Sequence, residues 1–290
     1  VLIVHNPVAG RRRSARVTAV QQQLVARGCQ VRMQATEHAG HAEQIAATVS
    51  ADEVDVIAVA GGDGTINETI NGFGPRAPVL AVIPCGTANV VALELGLPST
   101  PSRIAGLIAE GQPAAIHPGR ANGRRFVMMA GVGYDAHVVA AVTPDLKRRL
   151  GKAAYVWRSL TVLRQFDFAP YRITIDGRTT TAASAIVANG RYYAGRHVCA
   201  PSARLDQPGF QVCLFARGGA WNALRYGTAM LTDRLPTLPD FAIHQASRVE
   251  IAGRTGEPVQ GDGDVMARLP VSISVDQQHF RVLRPPPGRP

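Results

Sequence analysis

Asp63 stands in a glycine-rich pentapeptide, Gly61-Gly62-Asp63-Gly64-Thr65. Before it runs the short apolar segment Asp55–Ala60, and after it Ile66–Asn71, whose apolar spacing suits the first turns of a helix. A glycine turn between strand and helix lets backbone come close to an anion, with free N–H groups and the helix dipole directed at it. An aspartate inside such a cradle repels the anion unless a cation lies between them. Phosphate with a divalent metal is the economical reading, and that pair is the equipment of a kinase. The competing reading is a surface turn, because Asp-Gly and Gly-Gly are common turn formers.

Three further polar loops follow apolar runs: Asn6-Pro7-Val8-Ala9-Gly10, Thr36–His41 and Cys85–Asn89. His38 and His41 lie in the second of these with Gly40 between them, which reads as a loop rather than a helical metal-ligand pair. Late in the chain, Asp262-Gly263-Asp264 brings two carboxylates together; on local chemistry alone, Asp262-Gly263 is a hairpin turn.

The elements that must position these loops alternate over the first 120 residues. Val1–Asn6, Val31–Ala35, Val54–Ala60 and Val79–Ile83 read as strands. Helical patterns start at Ser14, run over Ala42–Val49, follow Asn89 and span Ser102–Glu110. This rhythm predicts an α/β N-terminal domain, residues 1–120, with a mostly parallel sheet and helices on both faces. In such sheets ligands bind off the carboxyl ends of the strands, where all four polar loops fall. Residues 121–276 predict a second, β-rich domain, a sandwich or open barrel. Its strands are expected at Phe126–Ala130, Tyr171–Ile175, Ala183–Ala188, Phe210–Phe215, Phe241–His244, Arg248–Ile251 and Val271–Val275. Helical segments fall near Pro144–Gln165 and Ala220–Leu235, and Met128-Met129 reads as core. Segment 277–284 is able to complete the first domain, and Pro285–Pro290 is expected to be a disordered tail.

The net charge of +10 calls for an anionic partner or surface. Arginine clusters occur at Arg11–Arg13 and Arg124-Arg125, and Lys147-Arg148-Arg149 makes a third basic group. Lys147 and Lys152 are the only lysines, and Gly151-Lys152 is followed by Ala153, which excludes a Walker P-loop and lysine Schiff-base chemistry. No aromatic-interleaved or zinc-finger pattern supports nucleic acid, and an anionic membrane is at least as good a match. No apolar run reaches the length of about 20 residues that spans a bilayer. Val1-Leu2-Ile3-Val4 reads as a strand rather than a signal peptide, and Cys29, Cys85, Cys199 and Cys213 are scattered as reduced thiols. A cytoplasmic protein is expected.

Asn-Pro-x-x-Gly at the first strand end, Gly61–Thr65, Pro84–Asn89 and Asp262–Asp264 together resemble the diacylglycerol kinase catalytic-domain family. The likeness is to its bacterial soluble lipid kinases, relatives of sphingosine and ceramide kinases, and covers almost the whole chain. Gly131–Ala136, Asn189-Gly190 and Leu205-Asp206 extend it. The pentapeptide alone is shared with NAD kinases and, more loosely, with phosphofructokinases; Pro84–Asn89 favours the lipid branch.

The resemblance implies ATP in a cleft between the two domains. Asn6, Pro7, Gly10, Thr36, Gly61, Gly62, Asp63, Gly64, Thr65, Asn67 and Thr87 would line the nucleotide. From the residues themselves, Asn6 and Thr87 could equally be caps. Asp63 is the candidate holder of Mg²⁺, directly or through water. Asp262 is the candidate general base, slightly ahead of Asp264, which stands where the family usually has Glu. Asp206 is the candidate ligand of an additional Mg²⁺, in a loop that departs from the family's Leu-Asp-Asp-Gly by carrying Gln207 and Pro208.

The expected activity is transfer of the ATP γ-phosphate to a hydroxyl of a diacylglycerol-like or long-chain-base lipid. Peripheral contact with an anionic membrane is expected, and exposed strand edges admit a homodimer. NAD kinase and a non-catalytic nucleotide-binding regulator are the alternatives.

Overall fold

The computed structural model describes residues 1–7, 11–142 and 152–286. The chain divides into two units, Val1–His117 with Gln278–Pro290, and Pro118–Gln277.

The first unit is built on a six-stranded sheet. Its strands are β1 (Leu2–His5), β2 (Arg32–Ala35), β3 (Val56–Gly61), β4 (Val79–Pro84), β5 (Pro113–Ile116) and β20 (Phe280–Leu283), ordered β2-β1-β3-β4-β20-β5. All neighbours are parallel except β20 and β5. Strand β3 is apolar throughout because it is covered on both faces. Ala58 and Ala60 join a core with Val17, Val20 and Leu24 of helix α1 (Arg11–Val25) and Ile104, Ala105 and Ile108 of α5 (Pro101–Glu110). With side chains alternating along the strand, Ile57 and Val59 face the other side. Helices α2 (His41–Ala47) and α3 (Asp63–Gly72) pack together, burying Ile45, Ile66 and Ile70. Helix α4 (Val90–Glu94) is a short turn after β4.

The second unit is a sandwich of two antiparallel sheets. One is ordered β10-β9-β16-β19-β6-β7 and the other β15-β14-β11-β8-β17-β18. The first uses β6 (Gly119–Ala121), β7 (Arg124–Phe126), β9 (Tyr171–Ile175), β10 (Arg178–Ala182), β16 (Arg248–Ala252) and β19 (Val271–Val275). The second uses β8 (Met129–Val132), β11 (Ser184–Ala188), β14 (Phe210–Phe215), β15 (Phe241–Ala246), β17 (Pro258–Gly261) and β18 (Asp264–Arg268). Phe126, Ile173, Val249 and Ile273 from one sheet meet Val132, Val187, Phe210 and Val212 from the other in a single core. A small ribbon pairs β12 (Tyr192–Tyr193) with β13 (His197–Val198). Among the described residues, helices α6 (Tyr134–Ala141), α7 (Lys152–Leu163) and α8 (Ala220–Leu231) decorate the sandwich.

Three departures from the expected elements have local causes. The strand expected over Phe126–Ala130 is split into β7 and β8, because the Val127, Met128 and Met129 N–H groups turn to a side-chain carboxylate instead of a strand. Helix α8 stops at Leu231, short of Leu235, where Asp233 takes a left-handed backbone (φ 55°). Helix α3 starts at Asp63, three residues before the expected Ile66, so three of the pentapeptide's five residues are helix. Met128 and Met129 are buried, as the sequence predicts. Arg125 is also buried: with Arg120 it pins the Asp276 carboxylate at 2.6 Å and 3.0 Å, so this arginine stabilises the sandwich rather than presenting charge to a partner. The Lys147–Arg149 cluster and residues 287–290 of the expected tail lie outside the described residues.

Candidate active site

Parallel register brings the carboxyl ends of β1, β3 and β4 level, with His5 opposite Ala60 and Gly61 opposite Pro84. Backbone hydrogen bonds then lace the loops that leave them. The Asn6 N–H donates to Ala60 O (3.1 Å), the Thr36 N–H to His5 O (2.9 Å) and the Cys85 N–H to Gly61 O (2.9 Å). Asn6, Thr36, Gly61–Thr65 and Cys85 thus share one edge of the sheet. Gly10 lies outside the described residues, Pro7 is exposed and Thr36 is buried.

Gly62 and Gly86 show why these loops need glycine. A Cβ on Gly86 would sit 2.5 Å from the Gly62 Cα and 2.6 Å from Asn89 Oδ1. The two turns therefore touch backbone to backbone, leaving amide surface where side chains would otherwise stand. Asn89 adopts the left-handed region (φ 50°) and closes its loop on itself: Oδ1 accepts the Gly86 N–H at 2.6 Å, and Nδ2 donates to Gly86 O at 3.0 Å. Helix α3 opens directly from Gly62, so its unpaired N-terminal amides and dipole face the same edge.

Asp63 occupies the first turn of α3, and its Oδ1 accepts the Val91 N–H of α4 at 3.0 Å. The carboxylate thereby ties the start of one helix to the start of the next. That bond does the capping of α4 for which Thr87 was one candidate; Thr87 itself is exposed. Thr65 is buried beneath Gly61, and Asn67 Oδ1 accepts the Asn71 Nδ2 donor at 3.0 Å one turn along. Arg16 on α1, which the sequence reading missed, donates to Pro84 O at 2.7 Å and adds a guanidinium to the end of β4. Arg16 follows the Arg11–Arg13 cluster in α1, and nothing in that run marks out the one arginine that reaches Pro84. His38 and His41 stack at 5.0 Å, and His41 Nδ1 accepts the Glu37 N–H at 3.0 Å, which is loop closure.

In the second unit, Asp262 and Gly263 form the two-residue turn between β17 and β18, both with positive φ (52° and 90°). That is the local hairpin the dipeptide predicts. The Asp262 side chain does something local chemistry does not predict. Its Oδ2 accepts the Val127 N–H at 2.7 Å, and its Oδ1 accepts those of Met128 and Met129 at 2.8 Å and 3.1 Å. The carboxylate is the anchor of the β7–β8 corner. Asp264, two residues on, is exposed at the start of β18.

The turn is held from below by a chain of polar groups. Gln260 Oε1 accepts the Gly263 N–H (3.2 Å), and Gln260 Nε2 donates to Asp135 Oδ2 (3.2 Å), which also accepts the Tyr193 hydroxyl (3.0 Å). Burial pushes the Asp135 carboxyl up to about 6, against the lowering effect of Tyr193, the Ala136 backbone N–H and Gln260. Sequence reading placed Asp135 inside the Gly131–Ala136 likeness and gave it no role; its partners lie 58 and 125 residues away.

Among the described residues no group of three or more His, Cys, Asp or Glu could hold a metal ion. A Mg²⁺ held by one carboxylate and the phosphates of a nucleotide needs no such group, and Asp63, beside the amide-lined loops, fits that donor set. Asp206 fits less well. Its Oδ1 and Oδ2 receive Nε and Nη2 of Arg204 at 2.9 Å and 3.0 Å, a fork-to-fork ion pair that leaves a cation little of the carboxylate.

Residues 1–121 match the family model described as the diacylglycerol kinase catalytic domain, and residues 128–284 match that of the YegS C-terminal NAD kinase beta sandwich-like domain. Diacylglycerol kinases of Staphylococcus carnosus (strain TM300) and Bacillus subtilis (strain 168) are each 28% identical. The alignments cover 98% of this chain and 94% and 95% of theirs. A crystal structure of a diacylglycerol kinase from Bacillus anthracis superposes with a TM-score of 0.78 at 27% identity, covering 98% of this chain and 96% of the other. With both halves matched in order, the chain belongs to the diacylglycerol kinase catalytic-domain family and is a kinase.

Proposed function

We propose that the protein transfers the γ-phosphate of ATP to a hydroxyl of a diacylglycerol-like lipid at the surface of an anionic membrane. The observation that carries this reading is the backbone cradle at the ends of β1, β3 and β4, where Gly62 and Gly86 meet and α3 begins. Relatives matched over nearly their whole length are named diacylglycerol kinases, which supports the choice of acceptor.

Phosphoryl transfer depends on positioning, charge neutralisation and a group to take the proton of the attacking hydroxyl. The first-turn amides of α3 would hold phosphate oxygens, with the Arg16 guanidinium adding positive charge. A Mg²⁺ held at Asp63 would supply the remaining neutralisation of phosphate charge. For the proton, Asp264 has the better claim. Asp262 already accepts three amides, so protonating it would strip a corner of the fold of its acceptor. Asp264 is exposed to an incoming hydroxyl and stands on a turn that Asp262 and Gln260 hold rigid.

The test is incubation with Mg²⁺ and γ-labelled ATP over mixed micelles, each carrying one candidate lipid, with NAD alone in parallel. Label in an organic-soluble product supports the reading, and the lipid that takes it names the substrate. Label in NADP would instead favour the NAD kinase alternative.

A further inference from the structure

Helix α8 is apolar on the wrong side for a globular protein. It buries Tyr226 and Ala229 but leaves Trp221 77% exposed, Leu224 49% and Leu231 65%. At about 100° per residue these three side chains fall within roughly 80° of one another, a single ridge pointing away from the buried face. A tryptophan that exposed, in line with two leucines, is not explained by the fold it sits on.

The charges around the ridge are one-sided. Helix α8 contains no acidic residue, and from Ala216 to Arg234 the chain has Arg217, Arg225 and Arg234 against the single acid Asp233. The neighbouring Asp240 is buried and taken up by Arg225, Arg217 and the Tyr226 hydroxyl, the last at 2.8 Å. Arg217 stays 72% exposed despite that pairing, and Arg234 is exposed too. Strand β13, which packs beside α8, is preceded by the exposed Arg196. Tryptophan and leucine on one face with arginines at the flanks is the pattern of a helix that lies in a membrane interface, its apolar side among the acyl chains and its cations at the headgroups.

We propose that α8 is the docking element that seats the protein on an anionic lipid bilayer, with Trp221, Leu224 and Leu231 entering the interface. This rests on the reading that the substrate is a lipid: a long-chain diacylglycerol-like molecule stays in the bilayer, so the kinase has to meet it there. Helix α7 also exposes Trp157 and Leu160.

The test uses the full chain carrying Trp157→Phe, which leaves Trp221 as the only tryptophan. Mixed phosphatidylglycerol–phosphatidylcholine vesicles should shift the Trp221 emission to the blue, and brominated acyl chains should quench it. Phosphatidylcholine vesicles should do so much less. The triple variant Trp221→Ser/Leu224→Ser/Leu231→Ser should keep its melting temperature and lose vesicle co-sedimentation by about tenfold or more. It should still turn over a short-chain, monomeric diacylglycerol at the parent rate while failing on the same lipid in vesicles. Co-sedimentation of the triple variant at the parent level would overturn the proposal. So would a parent dimer that the triple variant converts to monomer, because the ridge would then be covered by a second copy. Failure of the lipid-kinase reading looks different: vesicle binding through Trp221 with no lipid phosphorylated leaves the docking helix standing.

Discussion

The two carboxylates of the β17–β18 turn separate stability from chemistry. Asp262→Asn keeps one oxygen in place of two. If that oxygen stays on the Met128 and Met129 amides, the Val127 N–H, now 2.7 Å from its acceptor, faces an NH₂ group instead. One charge-assisted bond is lost and one donor is stranded, which costs about 1.5–3 kcal/mol. For a unit of this size that lowers the melting temperature by roughly 3–12 °C. Asp262→Ala strands all three amides and should fall further. Asp264→Asn touches an exposed side chain, so its melt should move by no more than about 1–2 °C. Its turnover should nonetheless drop by about 10²- to 10⁴-fold if it accepts the hydroxyl proton. Scanning fluorimetry beside a γ-labelled ATP transfer assay reads both quantities on the same preparations. The reasoning is refuted if Asp262→Asn melts with the parent, or if Asp264→Asn phosphorylates lipid at close to the parent rate.

Other outcomes follow from the same geometry. The Asp135 carboxyl is raised to about 6 from 3.8, so the fold holds a proton that the unfolded chain has released. Stability from this group is complete below about pH 4 and lost as pH rises through 6, a change of roughly 3 kcal/mol. Asp135→Asn should flatten that part of the profile in denaturant titrations run from acid to neutral pH; an unaltered slope would sink the assignment. Gly86→Ala forces a Cβ against the Gly62 Cα, so the loops must part at a cost of about 1–3 kcal/mol. Calorimetry should show ATP bound about tenfold or more weaker, and unchanged affinity would mean that the cradle does not hold the nucleotide. Asp206→Asn should leave the Mg²⁺ concentration for half-maximal activity where it was, because Arg204 already occupies that carboxylate; a marked rise would restore Asp206 as a metal ligand.

The parts legible in the sequence are those fixed by near neighbours. Apolar runs such as Val56–Ala60 and Val79–Ile83 announce strands covered on both faces, and the loops leaving them fall on one edge because parallel strands must. The Asp262-Gly263 hairpin is legible for the same reason, since positive φ at two successive positions selects those residue types. The Asp262 side chain was not legible. Its acceptor role depends on three amides about 134 residues earlier, and those amides break the strand that Phe126–Ala130 promised. Helix α3 starts earlier than its sequence predicts because Asp63 and Gly64 are weak helix formers; packing of α2 against α3 and the Asp63 bond to α4 override that preference. Asp135 and Arg16 are invisible for a third reason: each acts through long-range bonds and leaves no pattern in its own segment.

Strand β20 lies inside the first unit's sheet, with Val282 opposite Leu80 on one side and Ala114 on the other. Every residue of the second unit is synthesised before it. Until then β4 and β5 have no strand between them, and the pocket for Phe280, Val282 and Leu283, all buried in the finished sheet, stands open. The first unit is therefore completed last, although most of its strands emerge first. A chain cut short within the sandwich would lack the wedge that closes this sheet, so synthesis itself withholds a finished first unit from any product that lacks the second.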